Sequence, residues 1–321
     1  MLAVANKLAL DGFAVVAIDL PLHGILSTDA GVGLLLTKGA AERNFALDLV
    51  SQNADGSIAA SGADGVVDSS GRHYINFTSL LTARDNTRQA VADLFALTSS
   101  LTDMSYDNVV GGDFDTSKIY FVGHSLGGIV GSMFLRYDSR VRDAVLAMPG
   151  GGILKMLDGS PRFGPEIRAG LESVAGLKSG TAEYDAFMIA AQTVLDSSDP
   201  INVAADVSAG RGVLMFEVLG DAVIPNEVAD APLSGTKPLA GLMGLSATTA
   251  SVTDTGVNLT KLVKFGKGHH GSVLTPTDAN DQANADSAAV YAEMQSLMAE
   301  FISKDGKAVT LNNTALMDLN P

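Results

Sequence analysis

Gly123-His124-Ser125-Leu126-Gly127-Gly128 sets one serine among small residues. Lys118 to Val122 precedes it and predicts a short buried strand, and Ile129 to Tyr137 follows it and predicts a helix. A serine on such a strand-to-helix junction is a nucleophile elbow: the tight turn lifts the hydroxyl clear of the backbone. The turn predicts that residues two positions either side of the serine must be small, as Gly123 and Gly127 are, and Gly128 allows close helix packing. The Leu126 amide then sits at a helix start, where the dipole is positive and an N–H has no intrahelical acceptor. It is a ready donor to an oxyanion, so the chemistry implied is attack of Ser125 on an acyl carbon.

A serine hydroxyl needs a base to take its proton. The chain has 5 histidines: His23, His73, His124, His269 and His270. Elbows of this kind use the chain order Ser, then Asp or Glu, then His. His23 and His73 come too early, and His124 lies inside the elbow and is expected to point elsewhere. His269 and His270 fit, in the loop Gly266 to Ser272. His270 is favoured because it opens a His-Gly-Ser-Val-Leu-Thr-Pro run, with His269 the alternative base. Asp221 directly follows an apolar strand and is the favoured acid, able to orient the imidazole and stabilise its charged form. Glu217, within the strand, and Asp230, farther along the loop, are the competitors. Adjacent histidines without HExxH spacing argue against a metal hydrolase, and a serine in place of aspartate at the elbow argues against a dehalogenase.

These residues need a scaffold. Val4 to Leu10 predicts a helix and Phe13 to Asp19 (FAVVAID) a buried parallel strand. Residues 25–80 are irregular, with one helical piece around Ala40 to Leu49. Asp85 to Leu101 predicts a long helix. Val141 to Met148, Gly212 to Leu219 and Asn258 to Phe265 predict strands, and Ala285 to Ile302 the last helix. Alternating strands and helices mean an α/β fold with a mainly parallel sheet. Residues 150–210, helical in pattern, are the one insertion large enough for a cap or lid. The core is then 1–149 with 211–321.

The 321 residues allow a large core, and 46% hydrophobic content marks a globular chain. Acidic residues outnumber basic ones 36 to 21, a net charge of −15 that repels phosphate backbones and argues against nucleic-acid partners. Cysteine is absent, so disulfides and thiolate sites are excluded. No run reaches the roughly 18 apolar residues of a membrane span, and Met1 to Leu10 lacks the basic start of a signal peptide. Arg84, Asp85 and Arg88 read as an N-cap with a helix-start ion-pair cluster. Asp55, Asp64 and Asp68 lack the regular spacing of a calcium loop and read as a turn-rich surface.

Taken together the chain resembles the α/β-hydrolases. Residues 1–24 (with ANKLALDGFAVVAIDLPLHG) resemble the segment around the fourth strand of that fold. More narrowly, the chain resembles extracellular lipases and esterases that carry a bacterial virulence-factor lipase domain. The residues are Arg84-Asp85-Asn86-Thr87-Arg88-Gln89 with Asp93, the elbow, Asp196-Ser197-Ser198-Asp199-Pro200-Ile201-Asn202 and the His270 to Leu274 loop. The resemblance implies a sheet with helices on both faces and a helical cap. It implies carboxylic-ester hydrolysis, with acyl glycerides, lysophospholipids or short- to medium-chain esters as substrates. It implies no organic cofactor, and an extracellular or cell-surface location. An acyltransferase and a non-catalytic interaction module on the same scaffold are the other readings. The first three strands of the fold and the loop that gives its second oxyanion donor have no counterpart ahead of Val4. The expectation is a sheet repaired by a shift of strand 13–19, or by a second copy pairing at an exposed edge.

Overall fold

The computed structural model describes residues 2–27, 29, 33, 36, 42–53, 58–105, 112–278 and 285–320. Its contacts divide into two units, Met1–Val15 with Val91–Pro321, and Val16–Ala90.

The larger unit is built on a five-stranded parallel sheet. Its strands are β3 (Ile119–His124), β4 (Val141–Ala147), β5 (Gly212–Val218), β6 (Ser246–Ala247) and β7 (Thr260–Phe265), in the order β3-β4-β5-β7-β6. (The remaining strands, β1 and β2, belong to the smaller unit.) Every residue of β5 is buried, the pattern of a strand covered on both faces. Leu214, Phe216 and Val218 face a core with Val263 and Phe265 of β7 and Val290, Met294, Leu297 and Phe301 of the last helix, α9 (Ala285–Ser303). The first helix, α1 (Leu2–Leu10), adds Leu8 to this core. Helix α3 (Leu126–Tyr137), buried from Gly128 to Leu135, packs on β3 and β4. Between β4 and β5 lie α4 (Ile153–Gly159), α5 (Gly164–Ala175), α6 (Ala182–Leu195) and the short α7 (Ala204–Val207). Helix α8 (Thr236–Leu242) follows β5.

The smaller unit contains the antiparallel pair β1 (Val50–Gln52) and β2 (Ile58–Ser61). Its polar centre is Asp68, 4% exposed, which accepts from the Leu49 amide at 2.7 Å and bonds His73 Nε2 at 2.8 Å. Asp64 instead caps its own turn by accepting from the Val66 amide, and Asp55 lies outside the described residues. Among the described residues no group of three or more metal-ligating side chains converges. Tyr74 is buried edge-on to His23, and its hydroxyl donates to Thr87. Helix α2 (Leu80–Ser100) begins in this unit.

Three expectations fail. Phe13 to Asp19 is not a strand: it joins no ladder, and residues 14–17 are exposed. Apolar, β-branched composition favours a strand only where a partner supplies hydrogen bonds. Here Phe13 packs edge-on to Tyr120 at 5.7 Å, and the Asp19 carbonyl accepts from the Arg43 side chain at 2.6 Å. No shift of this segment into the sheet occurs, and among the described residues β3 pairs only with β4. The helical piece at 40–49 is likewise absent. Residues 40 and 41 lie outside the described residues, and 42–49 form turns in which Phe45 and Ala46 have φ of 55° and 51°, incompatible with a right-handed helix. Finally, α2 starts at Leu80, so Asp85 is not an N-cap. The turn before it is closed by Asn76 Oδ1, which accepts from the amides of Thr78 and Ser79. The ion-pair half of that reading stands: Asp85 pairs with Arg84 at 2.8 Å and Arg88 at 3.5 Å on an exposed surface.

Candidate active site

Ser125 joins β3 to α3 with φ 52° and ψ −121°, a strained backbone for a residue with a side chain. Its amide donates to Ala147 at the end of β4 (2.9 Å), and its carbonyl accepts from Gly128 and Ile129. Serine at a helix N-cap ordinarily accepts from the first turn. Here the Ser125 side chain makes no cap bond, so its hydroxyl is left for other work. A Cβ on Gly123 would stand 2.6 Å from the Gly127 carbonyl oxygen, and one on Gly128 would meet Pro149 at 2.9 Å. Gly127 departs from expectation: a Cβ there meets nothing within 4 Å, so the turn itself does not demand a glycine at that position.

A parallel sheet with helices between its strands, and a strained serine joining strand to helix, decide the architecture. The fold is that of an α/β-hydrolase. In this fold the loops after β5 and β7 bring Asp221 and His270 together. His270 Nδ1 donates to Asp221 Oδ2 at 2.7 Å. The aspartate side chain is 1% exposed and the histidine's 14%. Asp221 Oδ1 accepts from the amides of Val223 and Ile224, which fix the carboxylate. His270 Nε2 is buried with no hydrogen-bond partner among the described residues.

His269 is placed differently. Its Nε2 donates to the Thr277 carbonyl and its Nδ1 accepts from the Gly271 amide, so both ring nitrogens are committed to its own loop. Glu217 is buried on β5, where desolvation pushes its carboxyl up and a hydrogen bond from Asn226 opposes this. Asp230 pairs at the surface with Lys155. His23 and His73 belong to the smaller unit.

His124 does not point away. Its Nε2 donates to the His270 carbonyl at 2.7 Å, and the two rings lie 4.8 Å apart. A carbonyl only accepts, so Nε2 carries the proton. Burial, then the nearby His270, lowers the His124 pKa to about 4, and the ring is neutral near pH 7. Spacing alone gave no sign of this contact, because its partner is 146 residues away.

A second site feature also escaped the sequence. Asp199, 0% exposed, accepts from the amides of Gly152 (3.0 Å), Ile153 (2.6 Å) and Ile201 (3.0 Å) and from Gln192 (2.9 Å). It thereby joins the two ends of the helical segment between β4 and β5. Gly151 and Gly235 exchange backbone bonds, and Thr236 Oγ1 donates to the Pro149 carbonyl, which ties the loop after β4 to the one after β5.

No family model matches the chain, and no curated protein matches it. Among solved structures it is similar to an acylaminoacyl peptidase of Pyrococcus horikoshii, at 14% identity and TM-score 0.43, over 70% of this chain and 29% of that one. It is similar to acetyl xylan esterase 1 of Thermoanaerobacterium sp. at 16% identity and TM-score 0.39, over 61% of this chain and 53% of that one. A Pyrococcus furiosus esterase aligns at 14% identity and TM-score 0.37, over 68% of this chain and 62% of that one. The chain thus spans less than two thirds of each of these proteins. No helix among the described residues is long and apolar enough to cross a membrane.

Proposed function

We propose that this protein is a serine hydrolase of carboxylic esters. The observation that carries the reading is the His270 imidazole, bonded through Nδ1 to a buried aspartate, with an Nε2 that has no hydrogen-bond partner among the described residues, beside the elbow residue His124. In the proposed reaction Ser125 Oγ attacks the ester carbonyl while His270 Nε2 takes its proton. Asp221 holds the imidazole in the tautomer that leaves Nε2 free and stabilises the imidazolium. The Leu126 amide donates to the oxyanion. His270 then protonates the departing alcohol, and water, deprotonated by the same nitrogen, releases the acid and regenerates Ser125.

Acyl glycerides, lysophospholipids or short- to medium-chain esters are the proposed substrates, and residues 150–210 the proposed cover of the acyl-binding side. That segment enters the fold directly after β4, whose end is bonded to the elbow, at the strand ends where open α/β sheets bind ligands. The test is a p-nitrophenyl ester panel of graded chain length, run on the protein and on Ser125→Ala. The variant is expected to fold and to lose at least about 1,000-fold in kcat. Full activity in folded Ser125→Ala would overturn the proposal.

A further inference from the structure

We propose that His124 is a positioning residue for the base, locking the His270 backbone to the residue that precedes the nucleophile. The inference rests on the Ser125–His270–Asp221 reading. Its physical content is a constraint placed on the base residue itself. Asp221 holds His270 by a single ring nitrogen, so where the ring sits also depends on where the loop holds the His270 backbone. The loop carrying His270 is braced at its other residues: His269 bonds the Thr277 carbonyl, the His269 amide donates to Ser272 Oγ, and Gln295 Nε2 donates to the Val273 carbonyl at 2.6 Å. The bond from His124 Nε2 to the His270 carbonyl acts on the base residue itself.

The donor's place in the chain gives the bond its meaning. His124 is the last residue of β3 and covalently adjacent to Ser125. One side chain therefore spans from the nucleophile's own strand to the base, and any movement of the β7 loop relative to the elbow must stretch it. Rates fall steeply when reacting groups drift: a misplacement of about 1 Å can cost on the order of 100-fold. The chemistry of the donor suits the task. A neutral imidazole with its proton on Nε2 donates without placing a second charge beside the imidazolium that forms during turnover. A lysine or arginine there would oppose that charge.

The experiment compares His124→Leu, which removes the donor, with His124→Gln, whose amide nitrogen occupies a similar position. Active sites are counted with a fluorophosphonate, so every rate is expressed per labelled Ser125, and folding is followed by thermal melting. His124→Leu is expected to lower kcat per labelled site by about tenfold, the weight of one hydrogen bond, with KM within about twofold. His124→Gln is expected to recover most of that loss. A merely structural role would reduce the labelled fraction and the melting temperature but leave the rate per site unchanged. That result in His124→Leu, or a His124→Gln as slow as His124→Leu, overturns the inference. If His124→Leu does not fold, His124→Asn, whose amide is one carbon too short, takes its place against His124→Gln. Ser125→Ala separates the two readings. If it still hydrolyses esters the triad fails, whereas an inert Ser125→Ala beside an unaffected His124→Leu sinks only the positioning role.

Discussion

His124 occupies a site that disfavours its charged form, and that has a consequence for stability apart from rate. Its folded pKa is lowered from 6.5 to about 4, chiefly by burial and next by the nearby His270, with the hydrogen bond to the His270 carbonyl and then Asp221 opposing. Between these two values the unfolded chain binds a proton that the native ring refuses. Stability tied to this group is therefore fully present above about pH 6.5 and is lost as pH falls toward 4; below that the native ring protonates too. The shift corresponds to about 3 kcal/mol over the window. His124→Gln has nothing to titrate there. Urea denaturation of both proteins at pH 7 and pH 4 is expected to show the parent losing about 3 kcal/mol more than the variant on acidification. Parallel losses would mean that His124 is not held neutral in the native state. The same residue marks a limit of reading from sequence. The place of Ser125 between strand and helix, and the meeting of Asp221 with His270 on strand-end loops, were legible because elbow geometry and chain order constrain them. The orientation of His124 was not, because nothing local encodes a partner so far along the chain.

Elements were legible where the chain supplies both an apolar run and a partner for it. β3, β4, β5 and β7 lie within a few residues of where their composition puts them, because each is hydrogen-bonded to a neighbour of the same kind. Phe13 to Asp19 has the composition without a strand partner; it joins no ladder, and residues 14–17 are exposed. The segment between β4 and β5 shows the reverse. Its helices were legible, but what fastens them was not, since Asp199 bonds amides 46 and 47 residues away. Its four acceptor contacts hold the first turn of α4 to the 3-10 turn at Pro200–Asn202, closing the insertion like a clasp. Replacing Asp199 by alanine leaves those buried amides without an acceptor. The expected loss is about 3 kcal/mol in urea unfolding, from several unpaired donors at about 1–3 kcal/mol each. Asp199→Asn, which keeps one acceptor oxygen, is expected to fall between. An unchanged midpoint in Asp199→Ala would show that the clasp carries no stability.

At the scale of the whole molecule, the separation of residues 16–90 as their own contact unit was not legible. No linker-like composition marks its ends, and α2 runs across the boundary at residues 90 and 91. Net charge, in contrast, is a property of composition and needs no fold. With 21 basic against 36 acidic residues the chain carries −15, and its field disfavours the approach of anions wherever they bind. For the proposed ester hydrolysis the consequence is a salt-dependent preference. At about 0.01 M ionic strength the screening length is about 30 Å, so much of the surface acts on an incoming substrate; at about 0.15 M it shrinks to about 8 Å. Two p-nitrophenyl esters of equal acyl length, one neutral and one ending in a carboxylate, isolate the effect. The ratio of kcat/KM for the anionic ester to that for the neutral one is expected to rise severalfold between those ionic strengths, with the neutral ester nearly unaffected. A ratio that does not move with salt would mean that acyl-site contacts, rather than the surface field, decide how charged substrates are received.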